Sequence, residues 1–214
     1  MSREMLNRLF PNEPDWKLLE RTLQCSLDVA INEFSQHPSA GKVSDIGIWC
    51  DHENGVFEFS ICTAEYAEAD SRSARQESIR KINKHLGPWN SRFTAFWLRN
   101  EIGSPMPAVF PHNTSRFEFP KISTVRSDSW LEFADWLFEN QSAFESFESE
   151  GIVADETTYG RYLKGRATML AWQAFDYCCS EKRLHDLNSS DVVRLSISFV
   201  DEANLSILRY YEND

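Results

Sequence analysis

The sequence predicts an α+β fold in which helices pack against a mainly antiparallel sheet built from hairpins. Segments whose apolar residues recur at three- and four-residue steps predict helices, and segments in which apolar and polar residues alternate predict strands. The predicted strands come in adjacent pairs joined by short turns, which is typical of antiparallel pairing rather than βαβ alternation. No internal repeat or low-complexity linker interrupts the chain. We therefore expect residues 1–214 to form a single domain, with 1–14 as a candidate disordered segment.

Helical periodicity occurs in four segments. In the first, apolar residues such as Trp16 and Leu23 share one face, and Pro38 ends the pattern because proline disfavours helical geometry at the preceding residue. In the third, Ser129 and Glu132 form a capping-box pattern that opens an acidic helix. The predicted helices are Asp15 to Gln36, Ala67 to Leu86, Ser129 toward Phe147, and Tyr159 to Glu181.

Two hairpins give the clearest strand signals. Within Val43 to Thr63, two alternating stretches flank Asn54-Gly55, a pair favoured in tight turns whose two central residues both have positive φ. Near the end of the chain, Val192 to Val200 alternates, turns at 201–204 and returns as Leu205 to Tyr211. The other predicted segments are a central strand at Arg92 to Leu98, a loop at Ile102 to Ser115, and a short edge strand at Arg116 to Phe119 that Pro120 closes.

The composition disfavours several classes of protein. A net charge of −11 and a pI near 5.0 argue against nucleic acid as a partner, because phosphate binding requires clustered Lys and Arg. The first residues lack the apolar run of a secretory signal, and no apolar stretch approaches the roughly 20 residues that span a bilayer. The five cysteines have no CxxC spacing and are expected to be reduced thiols. These features predict a soluble, cytoplasmic protein without membrane association.

The chain carries no recognised catalytic or metal-binding motif. Gly160 to Ala167 has the glycine spacing of a phosphate-binding loop, but Arg and Ala stand where the lysine and the magnesium-binding hydroxyl belong. The tip of the first hairpin carries Asp51, His52 and Glu53, which we interpret as structural or solvated because turns favour polar residues. We accordingly assign no catalytic residue, no metal ligand and no cofactor. Paired carboxylates for hydrolysis leave no short sequence trace, so enzymatic activity is left open.

A long acidic run is the unusual feature of this sequence. Between Arg126 and Arg161 there is no Lys or Arg, while nine Asp and Glu residues occur. Four of the nine follow steps of four, three and four residues and therefore share one face of the predicted helix, opposite its apolar residues. We call these four the acidic stripe: Asp128, Glu132, Asp135 and Glu139. The residues predicted to contact a partner are the acidic stripe together with Glu145 and Glu148.

Two interpretations of the acidic stripe are open at this point. It is either the solvated face of an acidic protein or a docking surface for a cationic partner. Like charges at helical spacing destabilise an isolated helix by about 0.2–0.5 kcal/mol per pair. Basic residues at some of these positions would therefore give a more stable helix.

With these residues in view, the chain resembles small acidic bacterial immunity proteins, which neutralise a toxin delivered by a competing cell, including uncharacterised families encoded beside such toxins. The likeness is one of layout and spans most of the chain. It consists of a leading helix, the strand Ile46 to Asp51 entering a hairpin, the segment Phe117 to Pro120 before an acidic Trp-containing helix, and the closing strand Leu195 to Ser198. No motif fixes individual roles, so the resemblance assigns none. The resemblance implies a binding protein that occludes or distorts a toxin domain, often a nuclease with a positive cleft.

The leading hypothesis is therefore a non-enzymatic, cytoplasmic binding protein with a basic protein partner, for which a toxin domain is the candidate. The alternative is an enzyme with a carboxylate- and Trp-lined cleft that acts on a small or sugar-like substrate. A structural subunit is a third class, and a large apolar surface patch would indicate it. Two convergent carboxylates in a deep cleft would favour the enzyme, and a convex acidic face would favour the binding protein.

Overall fold

The structure is a computed structural model that describes residues 13–38, 40–70, 72–73, 117–140, 158–181, 183–200 and 207–212. Its helices are α1 (Trp16–Ser35), α2 (Asp128–Glu139) and α3 (Thr158–Ser180), with a short helix over 64–70 and a 3-10 helix at Arg183–Asp186. Its strands are β1 (Val43–Asp51), β2 (Val56–Thr63), β3 (Phe119–Arg126), β4 (Ser189–Phe199) and β5 (Ile207–Glu212). This is the predicted α+β fold.

The five strands form one mixed sheet in the order β3-β2-β1-β4-β5. Three of its four strand pairs are antiparallel, and both predicted hairpins are present as β1–β2 and β4–β5. The central pair, β1 and β4, is parallel, with Ile46 beside Leu195 and Ile48 beside Ile197. The sheet therefore consists of two hairpins joined side by side through their first strands, with β3 added at one edge.

One face of the sheet forms the main hydrophobic core. Alternate residues of β1, β2 and β4 point toward this face, where α1 and α3 lie against the strands and against each other. α1 begins at Asp15, whose carboxylate accepts hydrogen bonds from the N–H groups of Lys17 and Leu18 at 3.1 Å. Its predicted apolar stripe is buried in this core and comprises Leu19, Leu23, Leu27, Ala30, Ile31 and Phe34.

The opposite face of the central strands is also largely buried, and most of its buried side chains are polar or small. The first six residues of β1 are all buried, so that strand lacks the alternation of exposure expected of a sheet with one wet face. The buried polar residues on this side include Asp45 of β1, Ser60 of β2, and Arg194, Ser196 and Ser198 of β4. A buried polar layer requires internal hydrogen bonds and ion pairs.

The first hairpin is confirmed, but its turn differs from the predicted one. Four residues, 52–55, join the strands, with Asp51 opposite Val56. Gly55 has a positive φ of 62°, as the tight turn requires, but Asn54 does not. Lys121 is the described non-glycine residue with positive φ. The Asn54 N–H donates to Asp51 Oδ1 at 3.1 Å. A side-chain hydrogen bond thus stabilises a longer loop in place of the two-residue turn.

The predicted bounds of the edge strand are wrong. We predicted Arg116 to Phe119 with Pro120 closing the strand, whereas β3 begins at Phe119 and continues through Pro120. An edge strand tolerates proline, because the missing N–H need not belong to the ladder. The β2–β3 register also shifts at this point, between Phe59 and Ile61.

Several predicted segments lie outside the described residues. They are the strand at Arg92 to Leu98, the loop at Ile102 to Ser115, the helix Ala67 to Leu86 beyond residue 73, the acidic helix beyond residue 140, the turn at 201–204, and residues 1–12. Among the helices within the described ranges, none combines the length and the apolar character needed to cross a membrane.

Gly55→Ala is expected to destabilise the fold by about 2–5 kcal/mol, because alanine is strained at this φ and its Cβ would lie 2.7 Å from Cβ of Trp130. Gly165→Ala is the matched control. No atom lies within 4 Å of a Cβ added at Gly165, an exposed position of α3, so helix propensity predicts stabilisation of about 0.5–1 kcal/mol. Urea unfolding measures both. Wild-type stability of Gly55→Ala would contradict the close approach of the turn to Trp130.

Candidate partner-binding surface

α2 begins directly after the edge strand β3, and Ser127 caps it. Ser127 has an extended backbone, and its Oγ accepts a hydrogen bond from the Trp130 N–H at 3.2 Å. The predicted cap, Ser129, lies inside the first turn instead, so the capping box with Glu132 is wrong. Asp128 stands in the first turn, where the positive end of the helix dipole favours a carboxylate.

The inward face of α2 is fixed to the first hairpin through Trp130. The indole is fully buried and lies edge-on to Trp16 and Phe57, with ring centroids 5.4 and 5.6 Å away. Its Nε1 donates to the carbonyl oxygen of His52 in the β1–β2 turn at 2.7 Å. The other buried residues of α2 are Phe133, Ala134 and Leu137. These contacts determine which face of the helix points away from the core.

The outward face of α2 carries the acidic stripe, and all four of its side chains are exposed. At about 100° per residue, the four positions fall within about 60° of one another, opposite the buried residues. Within the described part of the chain, no Lys or Arg forms an ion pair with any of the four carboxylates. The other two predicted contact residues, Glu145 and Glu148, lie outside the described residues.

Beside α2, the positive charge of Arg166 on α3 is balanced by a different carboxylate. Its guanidinium lies over the rings of Trp16 and Tyr162, 4.9 and 5.3 Å from their centroids. The same guanidinium pairs with Glu13 at 3.0 Å, and the Tyr162 hydroxyl donates to the same carboxylate oxygen. The charge of Arg166 is therefore compensated by Glu13 and not by the acidic stripe.

Two exposed apolar side chains run along one flank of the acidic stripe. Leu131 is 39% exposed and Phe138 is 57% exposed, and we call this pair the apolar ridge. Phe138 also lies edge-on to Tyr159 of α3, with ring centroids 5.9 Å apart. The sequence prediction omits the ridge, because it assigns the apolar residues of this helix to the core. The seven-residue spacing is the signal that identifies it.

The polar residues at the hairpin tip do not converge into a site. Glu53 is exposed, whereas His52 is 4% exposed. The His52 ring packs edge-on against Phe199 with centroids 5.6 Å apart, and its Nδ1 has no hydrogen-bond partner. The interpretation of His52 as structural fits this burial. In the ranges that the structure describes, no three His, Cys, Asp or Glu side chains are placed to hold a metal ion.

None of the five cysteines, all of which lie in the described ranges, forms a disulfide, and three of them are buried. Burial raises the pKa of Cys62 and that of Cys178 to about 12, because an apolar environment disfavours the thiolate. Burial likewise raises the pKa of Cys50. These three thiols are therefore protonated, and poor nucleophiles, at neutral pH.

A buried ion pair that the sequence analysis did not predict lies in the polar layer of the sheet. Asp45 of β1 and Arg194 of β4 are paired across the parallel ladder and are 0% and 5% exposed. Ser44 Oγ donates to the same carboxylate at 2.7 Å. Burial raises the pKa of Asp45, although the Arg194 charge and the hydrogen bonds oppose that shift. The depth of the pair closes it to a substrate and indicates a structural role.

No protein-family model matches the chain, and neither a curated protein nor a solved structure matches it. The candidate site therefore rests on its own geometry: an anchored helix, an exposed acidic stripe and an apolar ridge beside it.

Arg194→Met is expected to destabilise the protein by about 3–5 kcal/mol near neutral pH, because it leaves the Asp45 carboxylate buried without its cation. The double variant Asp45→Val with Arg194→Met removes both charges and is expected to recover most of that loss. Urea unfolding measures both variants.

The pH dependence provides a second check of the same pair. The raised pKa of Asp45 means that the folded state holds its proton more tightly than the unfolded state, so stability falls as the pH rises above the unfolded pKa. Removal of the Arg194 charge, which lowers the pKa of Asp45, makes this loss of stability with rising pH larger. The Arg194→Met variant should therefore lose less stability at about pH 5 than at about pH 7, and the double variant should lack this difference. Equal losses at both pH values would show that the carboxylate does not cause the instability.

Proposed function

We propose that the chain is a non-enzymatic, cytoplasmic binding protein that docks a basic protein on the outward face of α2. We further propose that the partner is a toxin domain, which the chain inhibits as an immunity protein. The observation that supports the proposal is the acidic stripe, whose four exposed carboxylates pair with no Lys or Arg of the described chain. Because α2 is anchored through Trp130, the helix that carries the charges is fixed before binding, and no backbone ordering of α2 is required on association.

The spacing of the acidic stripe suits a cleft that binds a phosphate backbone. Asp128 and Glu139 are eleven residues apart, so the stripe extends over about 16 Å at 1.5 Å per residue. Its charges are on average about 5.5 Å apart along the helix axis, compared with about 3.4 Å per charge along one strand of duplex DNA. A positive nuclease cleft would therefore meet a row of carboxylates with somewhat more than half the linear charge density of one DNA strand. Such complementarity raises the association rate and blocks the cleft.

Catalysis has weaker support. Burial raises the pKa of Asp45, but this carboxylate is 0% exposed and is paired with Arg194. A substrate does not reach such a group, and its partner cation gives it a structural explanation. The binding function is therefore the better account of the described residues.

Charge reversal on α2 tests the proposal with a basic toxin domain as the partner, sought first in the reading frame next to that of this chain. The variant Asp135→Lys with Glu139→Lys is expected to slow association by about tenfold or more and to abolish protection of cells that co-express the toxin, because the attraction becomes repulsion. The control is Glu33→Lys with Glu181→Lys, which changes the net charge equally at exposed positions outside α2. Association rates at low and high salt, together with colony survival, are the measurements.

The two variants separate a local effect from a general one. Wild-type rates and survival with the α2 variant would remove the acidic stripe from the account. Equal slowing by both variants would show that the net charge steers the partner without a dedicated surface. Slowing confined to the α2 variant, with normal protection by the control, supports the proposal.

A further inference from the structure

The apolar ridge indicates which kind of element binds beside the acidic stripe. We infer that the partner docks a basic amphipathic helix on α2, with its Lys and Arg side chains on the acidic stripe and its apolar side chains against Leu131 and Phe138. The inference rests on the proposed function and specifies the partner element that the same surface recognises.

The geometry of α2 favours a helix over a strand as the docking element. Leu131 and Phe138 are seven residues apart, or about 10.5 Å along the helix axis, and they lie about 80° around the helix from the centre of the acidic stripe. A second helix packed alongside presents residues at the same seven-residue spacing. In a strand, side chains on the same face are about 6.8 Å apart at one repeat and about 13.6 Å apart at two. Neither distance matches the roughly 10.5 Å between Leu131 and Phe138. Two parallel rows, one charged and one apolar, are thus matched by an amphipathic helix.

The exposed side chains of the apolar ridge have the properties of residues that anchor a binding partner. Leu131 and Phe138 are 39% and 57% exposed, although the buried face of the same helix is filled by other apolar side chains. The contact with Tyr159 holds the Phe138 ring against α3, so that less rotamer freedom is lost on binding. Aromatic side chains surrounded by polar groups are typical of the residues that dominate binding energy at interfaces.

The negative charge of the acidic stripe determines which kind of partner can cover the apolar ridge. A second copy of the same surface would bring two acidic stripes together, and an anionic membrane would repel the stripe in the same way. A basic amphipathic helix is attracted by the stripe and also covers the ridge. Charge complementarity therefore favours a cationic protein helix over self-association or lipid.

Two synthetic helical peptides test the inference with the full-length protein. The first carries Lys at steps of four, three and four residues with two flanking Leu seven residues apart, and the second has Ser in place of both Leu. The dissociation constants are measured by fluorescence anisotropy at low and high salt. We expect the Leu peptide to bind about tenfold more tightly than the Ser peptide. Leu131→Ser with Phe138→Ser should remove that difference, whereas Leu18→Ser with Val29→Ser, at exposed positions of α1, should retain it.

The outcomes distinguish a failure of the amphipathic-helix inference from a failure of the proposed binding function. Equal binding of both peptides, or an unchanged preference in the Leu131→Ser, Phe138→Ser variant, would overturn the amphipathic-helix inference. Salt-sensitive binding that Asp135→Lys with Glu139→Lys abolishes would leave the proposed function standing in that case. Binding of neither peptide, or binding that this charge reversal does not weaken, would overturn both. Matching thermal unfolding curves for all variants ensure that a lost preference reports on binding rather than folding.

Discussion

The contact between Trp130 and the β1–β2 turn is the constraint on which the surface of this protein depends. The Trp130 Nε1 donates to the His52 carbonyl at 2.7 Å, and the Ser127 N–H donates to the Gly55 carbonyl at 3.1 Å. The indole lies so close to Gly55 that no side chain fits there. Two hydrogen bonds and one close contact therefore fix the start of α2 against a hairpin whose strands are part of the core. The outward direction of the acidic stripe follows from this attachment.

Buried and exposed charges differ in whether they are paired with an opposite charge. Inside the sheet, Asp45 is matched by Arg194, and near α1 the guanidinium of Arg166 is matched by Glu13. On α2, by contrast, four carboxylates have no cationic partner among the described residues. Internal pairing is required because an isolated buried charge is strongly destabilising, whereas water screens surface charges. Unpaired carboxylates are therefore tolerated on an exposed helix face, and the proposed docking of a basic partner depends on them.

Local patterns predicted most of the described fold, because helices and hairpins depend on residues close in sequence. The helices α1 and α3 and both hairpins follow from periodicity. The parallel pairing of β1 with β4 joins segments about 150 residues apart and leaves no short-range signal. The Asp45–Arg194 pair depends on that pairing and was missed for the same reason. The direction of the acidic stripe was predictable from helical spacing, whereas the exposure of Leu131 and Phe138 depends on how the core is filled.

The most direct test of the account is a map of contacts between carboxylates of this chain and lysines of the proposed partner. Zero-length carbodiimide cross-linking joins an Asp or Glu of this chain to a Lys of the proposed basic partner where the two are in contact, and mass spectrometry locates the bond. The account predicts cross-links at the α2 carboxylates, above all Asp135 and Glu139. Cross-links confined to exposed carboxylates elsewhere, such as Glu33 or Glu181, with none on α2, would contradict it.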